Sequence, residues 1–194
     1  VAIIRETQEV LLLTYFPETV RLVLCLDYLW EPGEWEYSSR EGRVATQHSV
    51  YLIQVAGVPF GYRFREYPLG LYSGLVDEVL SSLHPEDVKQ CRDCRHFFTH
   101  TARAKLDQVK PLMNAPVELQ LADWLRLTTT LHYLLHIAYL PPSGKGKRDA
   151  IVRLLAERED NGLLIDHLDA AWRSLDAVGL VRHKTLPCPE ESPG

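Results

Sequence analysis

Val20-Arg21-Leu22-Val23-Leu24-Cys25-Leu26-Asp27-Tyr28-Leu29-Trp30 separates by parity. Every even position is apolar, and the charged residues Arg21 and Asp27 both fall on odd positions. A period of two is the mark of a strand with one buried face. Glu31-Pro32-Gly33-Glu34 follows, a turn in which proline presets φ and glycine tolerates φ > 0. Trp30 and Trp35 flank that turn, as facing residues of a hairpin would. Glu41-Gly42 reads as the next break and residues 44–55 as a run rich in β-formers. Phe60, Tyr62 and Phe64 then alternate with Gly61, Arg63 and Arg65. Such short connections leave no room for parallel crossovers, so residues 1–70 are expected to form an antiparallel sheet of about three to five strands.

At Pro68-Leu69-Gly70 the apolar period changes to that of a helix. Leu75, Val79, Leu80 and Leu83 predict a first helix, stopped by His84-Pro85. Residues 86–98 and 101–113 predict two more, and Asn114-Ala115-Pro116 breaks the pattern. The long stretch 117–140 carries a stripe of Leu121, Trp124, Leu125, Thr128, Leu131, Leu135 and Ala138. Its Glu118, Asp123 and Arg126 interrupt the ~20 apolar residues that a membrane span needs, so it reads as a buried soluble helix.

After a linker at 141–148, Ile151, Leu154 and Leu155 mark one helix, and Leu164, Leu168, Ala171, Trp172 and Leu175 the next. Gly162 in the turn and Gly179-Leu180-Val181-Arg182 at the end give this pair a winged-helix-like outline. Its last helix carries Asp166, Asp169 and Asp176 against Arg173, the wrong sign for entering a phosphate-lined groove. Strands first and helices after predict an α+β chain. The expected divisions are a β-sheet region at 1–70, a helical region at 71–142, a helix pair at 143–186 and a loose tail at 187–194.

The chain has 194 residues, 46% of them hydrophobic, which excludes wholesale disorder. A formal charge of −5 argues against a general polyanion binder. Four cysteines are too few to staple a secreted module of this size. With no charged-then-apolar leader after Val1, an intracellular place, cytoplasmic or nuclear, is the expectation.

The strongest chemical constellation is Cys91 and Cys94 with His132 and His136. Two thiolates three positions apart and two imidazoles on one helical face could hold a structural zinc in a tetrahedron. His96 and His100 are alternative ligands, but the distal pair would tie two helices together. The spacing fits no common zinc finger, and Tyr133 stands where a metalloprotease carries its glutamate. Cys25 and Asp27, on one face of the predicted strand, could meet His48 on another. A thiol in the middle of an apolar run is more readily a small core residue than a nucleophile.

Lys89, Arg92, Arg95, Arg103, Lys105 and Lys110 form a basic cluster around Phe97 and Phe98, the makings of a nucleic-acid surface. No acid–base pair, phosphate loop or nucleophile motif stands out. The expectation is therefore a non-enzymatic regulatory or adaptor protein, with a protein partner or a second copy of itself. A nucleic-acid-associated regulator and an enzyme of unrecognised type are the alternatives. Contact residues are expected at Trp35, beside the Pro32-Gly33 turn, and at Tyr67 and Tyr72.

Overall fold

The computed structural model describes residues 17–30, 35, 37–84, 98–136, 147–156 and 162–181. Helix α1 is Glu18–Leu29 and helix α2 Arg40–Val55. A hairpin of Arg65–Tyr67 (β1) and Gly70–Tyr72 (β2) leads into α3, Gly74–Ser81. Then come α4 (His100–Val109), a 3-10 turn at Lys110–Met113, and α5 (Leu121–His136). Helices α6 (Lys147–Ala156), α7 (Gly162–Ile165) and α8 (Leu168–Ala177) complete the described chain.

Helices where strands were expected are the main correction. The stretch from Val20 lies in α1, with Leu22, Val23, Leu24, Cys25, Leu26, Asp27 and Leu29 all buried. Both parities are inside, so the alternation did not mark two faces. A helix enclosed on nearly every side has no polar stripe to give it a 3.6 period, and a short apolar run then reads equally well as strand. The expected strand at 44–55 lies in α2. Ser39 caps its start by accepting a hydrogen bond from the Gly42 N–H at 3.0 Å, so Gly42 sits in a first helical turn. Ala45 through Ile53 are buried without interruption, and packing overrides the β-propensity of Thr46, Val50 and Ile53.

Among the described residues the sheet is one antiparallel pair, with Arg65 opposite Tyr72, Glu66 opposite Leu71 and Tyr67 opposite Gly70. This mixed fold is α+β, but helices dominate it. Of the strand expected at residues 60–65, residues 60–64 have no strand partner among the described residues, and Arg65 opens β1. Two glutamines of α2 hold the backbone on either side of the hairpin instead. Gln54 donates to the Tyr62 carbonyl at 3.0 Å and accepts from the Tyr62 N–H at 2.7 Å. Two turns earlier, Gln47 donates to the Ser73 carbonyl at 3.1 Å and accepts from the Ser73 N–H at 3.2 Å. Each amide, Gln47 buried and Gln54 half-buried, thus replaces a neighbouring strand and satisfies backbone groups that would otherwise lack partners.

Helix α5 packs against α2, α8 and β2. Trp124, Leu125, Leu127, Leu131 and Leu135 supply its buried face, each such side chain stabilising by ~1.5–3 kcal/mol. The Trp124 indole donates to the Leu112 carbonyl at 2.9 Å, pinning the 3-10 turn to α5. Thr128, Thr129 and Thr130 are buried as well. Thr128 and Thr129 return their hydroxyls to the Trp124 and Leu125 carbonyls at 3.0 and 2.8 Å, which lets them enter a core. Beyond α8, Gly179 adopts φ +72 and the Leu180 N–H bonds back to the Leu175 carbonyl at 2.8 Å, as expected at a helix end. No helix among the described residues is long and apolar enough to cross a membrane.

Candidate contact surface around the hairpin

The β1–β2 turn is made by Pro68 and Leu69 and closed by Gly70 at φ +104. Gly70 and Leu71 are buried against the helices, while Tyr72 turns outward. Tyr67 and Tyr72 are 49% and 37% exposed, with rings edge to face at 5.4 Å. Leu69 at 41% and Leu75 at 56% extend the same exposed apolar stretch into α3. A groove of about 730 Å³ opens beside them, bounded by Arg40, Arg43, Val44, Gln47, Tyr67, Tyr72 and Asp77. A second of about 520 Å³ lies toward α5, and Arg40, Val44 and Leu69 line both.

Charge is unevenly held there. Arg43 is engaged twice: its Nε donates to the Tyr37 carbonyl at 2.9 Å, and its Nη1 lies 3.7 Å from Asp77. Arg126, mostly buried at the second groove, pairs with Asp123 at 3.2 Å. Arg40 is exposed at the mouth of both and makes no ion pair among the described residues.

The hairpin rests on His48. This α2 side chain is fully buried, with Nδ1 2.7 Å from the Thr129 hydroxyl of α5 and Nε2 without a hydrogen-bond partner. Burial pulls its pKa from 6.5 down to about 4; the Leu69 backbone opposes the shift, and the Arg126 charge adds to it. Gly70 sits directly on the ring. A Cβ there would stand 2.6 Å from His48 Cε1 and 3.0 Å from Arg126 Cγ, so the seat excludes any side chain.

Tyr67 and Tyr72 thus lie at one exposed place, but Trp35 does not join them. It is 5% exposed, and its indole donates to Asp27 at 2.6 Å. A buried Asp27 needs donors, and Trp35 supplies one while filling core volume, which outweighs the surface preference of a turn. Cys25 is buried in α1, its thiol pushed up to about 12 by burial. Residues two apart share a face on a strand but not on a helix, so Cys25 and Asp27 do not point together.

Of the expected zinc ligands, Cys91, Cys94 and the alternative His96 lie outside the described residues. His100 is exposed at the start of α4. His132 and His136 do share a face of α5, with ring centres 4.6 Å apart. No group of three or more His, Cys, Asp or Glu side chains around a common point occurs among the described residues.

Of the basic cluster, Lys89, Arg92 and Arg95 also lie outside the described residues. Lys105 donates to the Gly57 carbonyl at 2.7 Å, Lys110 lies over the Tyr28 ring at 5.2 Å, and Arg103 is exposed.

Arg40, Arg43, Leu69, Leu75 and Asp77 escaped the sequence reading. Arg40 and Arg43 fall on opposite faces of a strand but on one face of a helix, and the Ser39 cap was the signal that would have joined them. No family model, curated protein or solved structure matches this chain.

Proposed function

We propose that the protein is a non-enzymatic contact protein, and that the hairpin face of Tyr67, Leu69, Tyr72 and Leu75 receives a short apolar segment of a partner protein bearing carboxylates. What supports the reading is concentration: the exposed Tyr67, Leu69 and Tyr72 line one groove, and exposed Leu75 follows them in the chain. Contiguous exposed apolar groups on a folded protein mark contact sites more than scattered ones do. Tyrosines suit such a role, because they bury much area while freezing few rotors.

Charge sets the partner's chemistry. Within a chain of net charge −5, the groove carries Arg40 and Arg43 against Asp77 alone. A carboxylate on the incoming segment would meet Arg40 at the rim, where complementary charge raises the association rate and fixes orientation. A polyanion would instead meet the acidic remainder of the chain.

The test is a displayed library of short peptides selected on the immobilised protein, then re-selected on Leu69→Ser and Tyr72→Ala. Supporting the reading would be a consensus with an apolar or aromatic anchor next to Asp or Glu, lost in both variants at unchanged melting temperature. Selection of basic or wholly polar peptides, or a consensus indifferent to both substitutions, would overturn it. So would self-association in sedimentation that Tyr72→Ala abolishes, since the occupant would then be a second copy of the chain.

A further inference from the structure

A different part of α5 brings two histidines together. His132 and His136 are one helical turn apart at the end of this helix, their ring centres separated by 4.6 Å with planes inclined at 41°. His132 is 7% exposed, whereas His136 stands at the surface. Tyr51 of α2 reaches across to His132, its hydroxyl 2.8 Å from Nδ1. The Tyr51 ring is itself wedged edge-on between Phe64, at 5.3 Å, and His132, at 5.7 Å. Three features of a metal-binding imidazole pair are therefore present: a shared face, a fixed spacing and an outer partner on one ring.

We propose that His132 and His136 bind one divalent ion of the zinc class, each through Nε2, and that Tyr51 is the positioning residue for His132. With Zn–N bonds of ~2.0–2.1 Å at a tetrahedral angle, two donor nitrogens stand ~3.3 Å apart. Rings centred 4.6 Å apart place the two imidazoles close enough to approach one ion together. A ligating histidine characteristically hands its other ring nitrogen to an oxygen, which fixes ring orientation and tautomer. Tyr51 Oη occupies that position against Nδ1, leaving Nε2 of His132 as the coordinating atom. Imidazole suits zinc, nickel and copper better than it suits magnesium or calcium, which prefer oxygen ligands. His136, at the rim, gives an ion its way in, and water fills the coordination positions that the two imidazoles leave.

Metal-stripped protein is titrated with Zn²⁺ by calorimetry, and imidazole nitrogens are followed by long-range ¹H–¹⁵N correlation. The expected results are one ion per chain, Nε2 resonances of two histidines displaced together, and no response to Mg²⁺. His136→Ala, at an exposed position, should weaken binding at least tenfold without changing the melting temperature of the metal-free protein. Tyr51→Phe keeps the ring in its packing and should weaken binding by ~10–100-fold, the usual effect of removing an outer partner. Absence of Zn²⁺ binding, binding undiminished in His136→Ala, or metal-displaced histidines other than 132 and 136 would each overturn the proposal.

Discussion

Acidification should destabilise this fold, and one identifiable share of the loss belongs to His48. His48 is neutral when folded because its buried site disfavours the charged ring, and its pKa stands near 4 against 6.5 when exposed. Above pH 6.5 both states leave the ring neutral, and its contribution to stability is complete. Between 6.5 and about 4 the unfolded chain binds a proton that the folded chain does not, so stability falls as pH falls. That interval, at 1.36 kcal/mol per pH unit, amounts to about 3 kcal/mol, with a greatest slope of ~1.4 kcal/mol per unit.

Other groups titrate over the same range, so the His48 share must be isolated. Asparagine at this position can keep a polar atom facing the Thr129 hydroxyl and cannot be protonated. Urea unfolding of the wild type and His48→Asn at pH steps from 7.5 to 4 gives two stability curves. The variant starts lower, because the smaller side chain leaves a void beneath Gly70. The wild type should then lose about 3 kcal/mol more than the variant across the window. Curves that stay parallel within ~0.5 kcal/mol would refute the account of His48 as a ring kept neutral by burial.

Gly70→Ala should cost ~2–5 kcal/mol, from a strained φ and a Cβ forced against His48; melting within a degree of the wild type would show that the turn relocates freely. Gln47→Leu should cost ~2–4 kcal/mol by orphaning the Ser73 N–H and carbonyl, and should speed exchange of the Ser73 amide, whereas unchanged protection would mean that water replaces the glutamine. Trp35→Phe should cost ~1–3 kcal/mol because buried Asp27 loses an indole donor; a loss under ~0.5 kcal/mol in urea titration would contradict that role. Leu69→Ser should leave unfolding free energy within ~0.5 kcal/mol of the wild type, and a larger loss would assign Leu69 to the fold rather than to contact.

Among the described residues, α3, α4, α5 and α8 were legible as helices because each exposes one face, although in α3 Val76 and Leu80 are buried and Leu75 is exposed. The helix expected at 86–98 lies outside the described residues. The break at Asn114-Ala115-Pro116 and the reversal at Gly179 come from local backbone chemistry, which neighbours do not change, whereas α3 already ends at Ser81, ahead of the stop expected at His84-Pro85. His132 and His136 shared a face for the same reason: four residues is one turn wherever a helix forms.

The N-terminal third was decided by what surrounds it. Sequence alone places apolar groups along a line; only packing determines whether one face of that line or its whole circumference is covered. In α1 nearly the whole circumference is covered, and the inward-facing Asp27 is met there by the Trp35 indole. The candidate surface has the same origin. Tyr67 and Tyr72 could be chosen from their turn, but their alliance with Arg40 and Asp77 required α2 to be a helix and α3 to fold back beside it. Periodicity and caps act over a few residues and are written in the chain. Burial from several sides, and the meeting of residues far apart in sequence, arise only when helices pack.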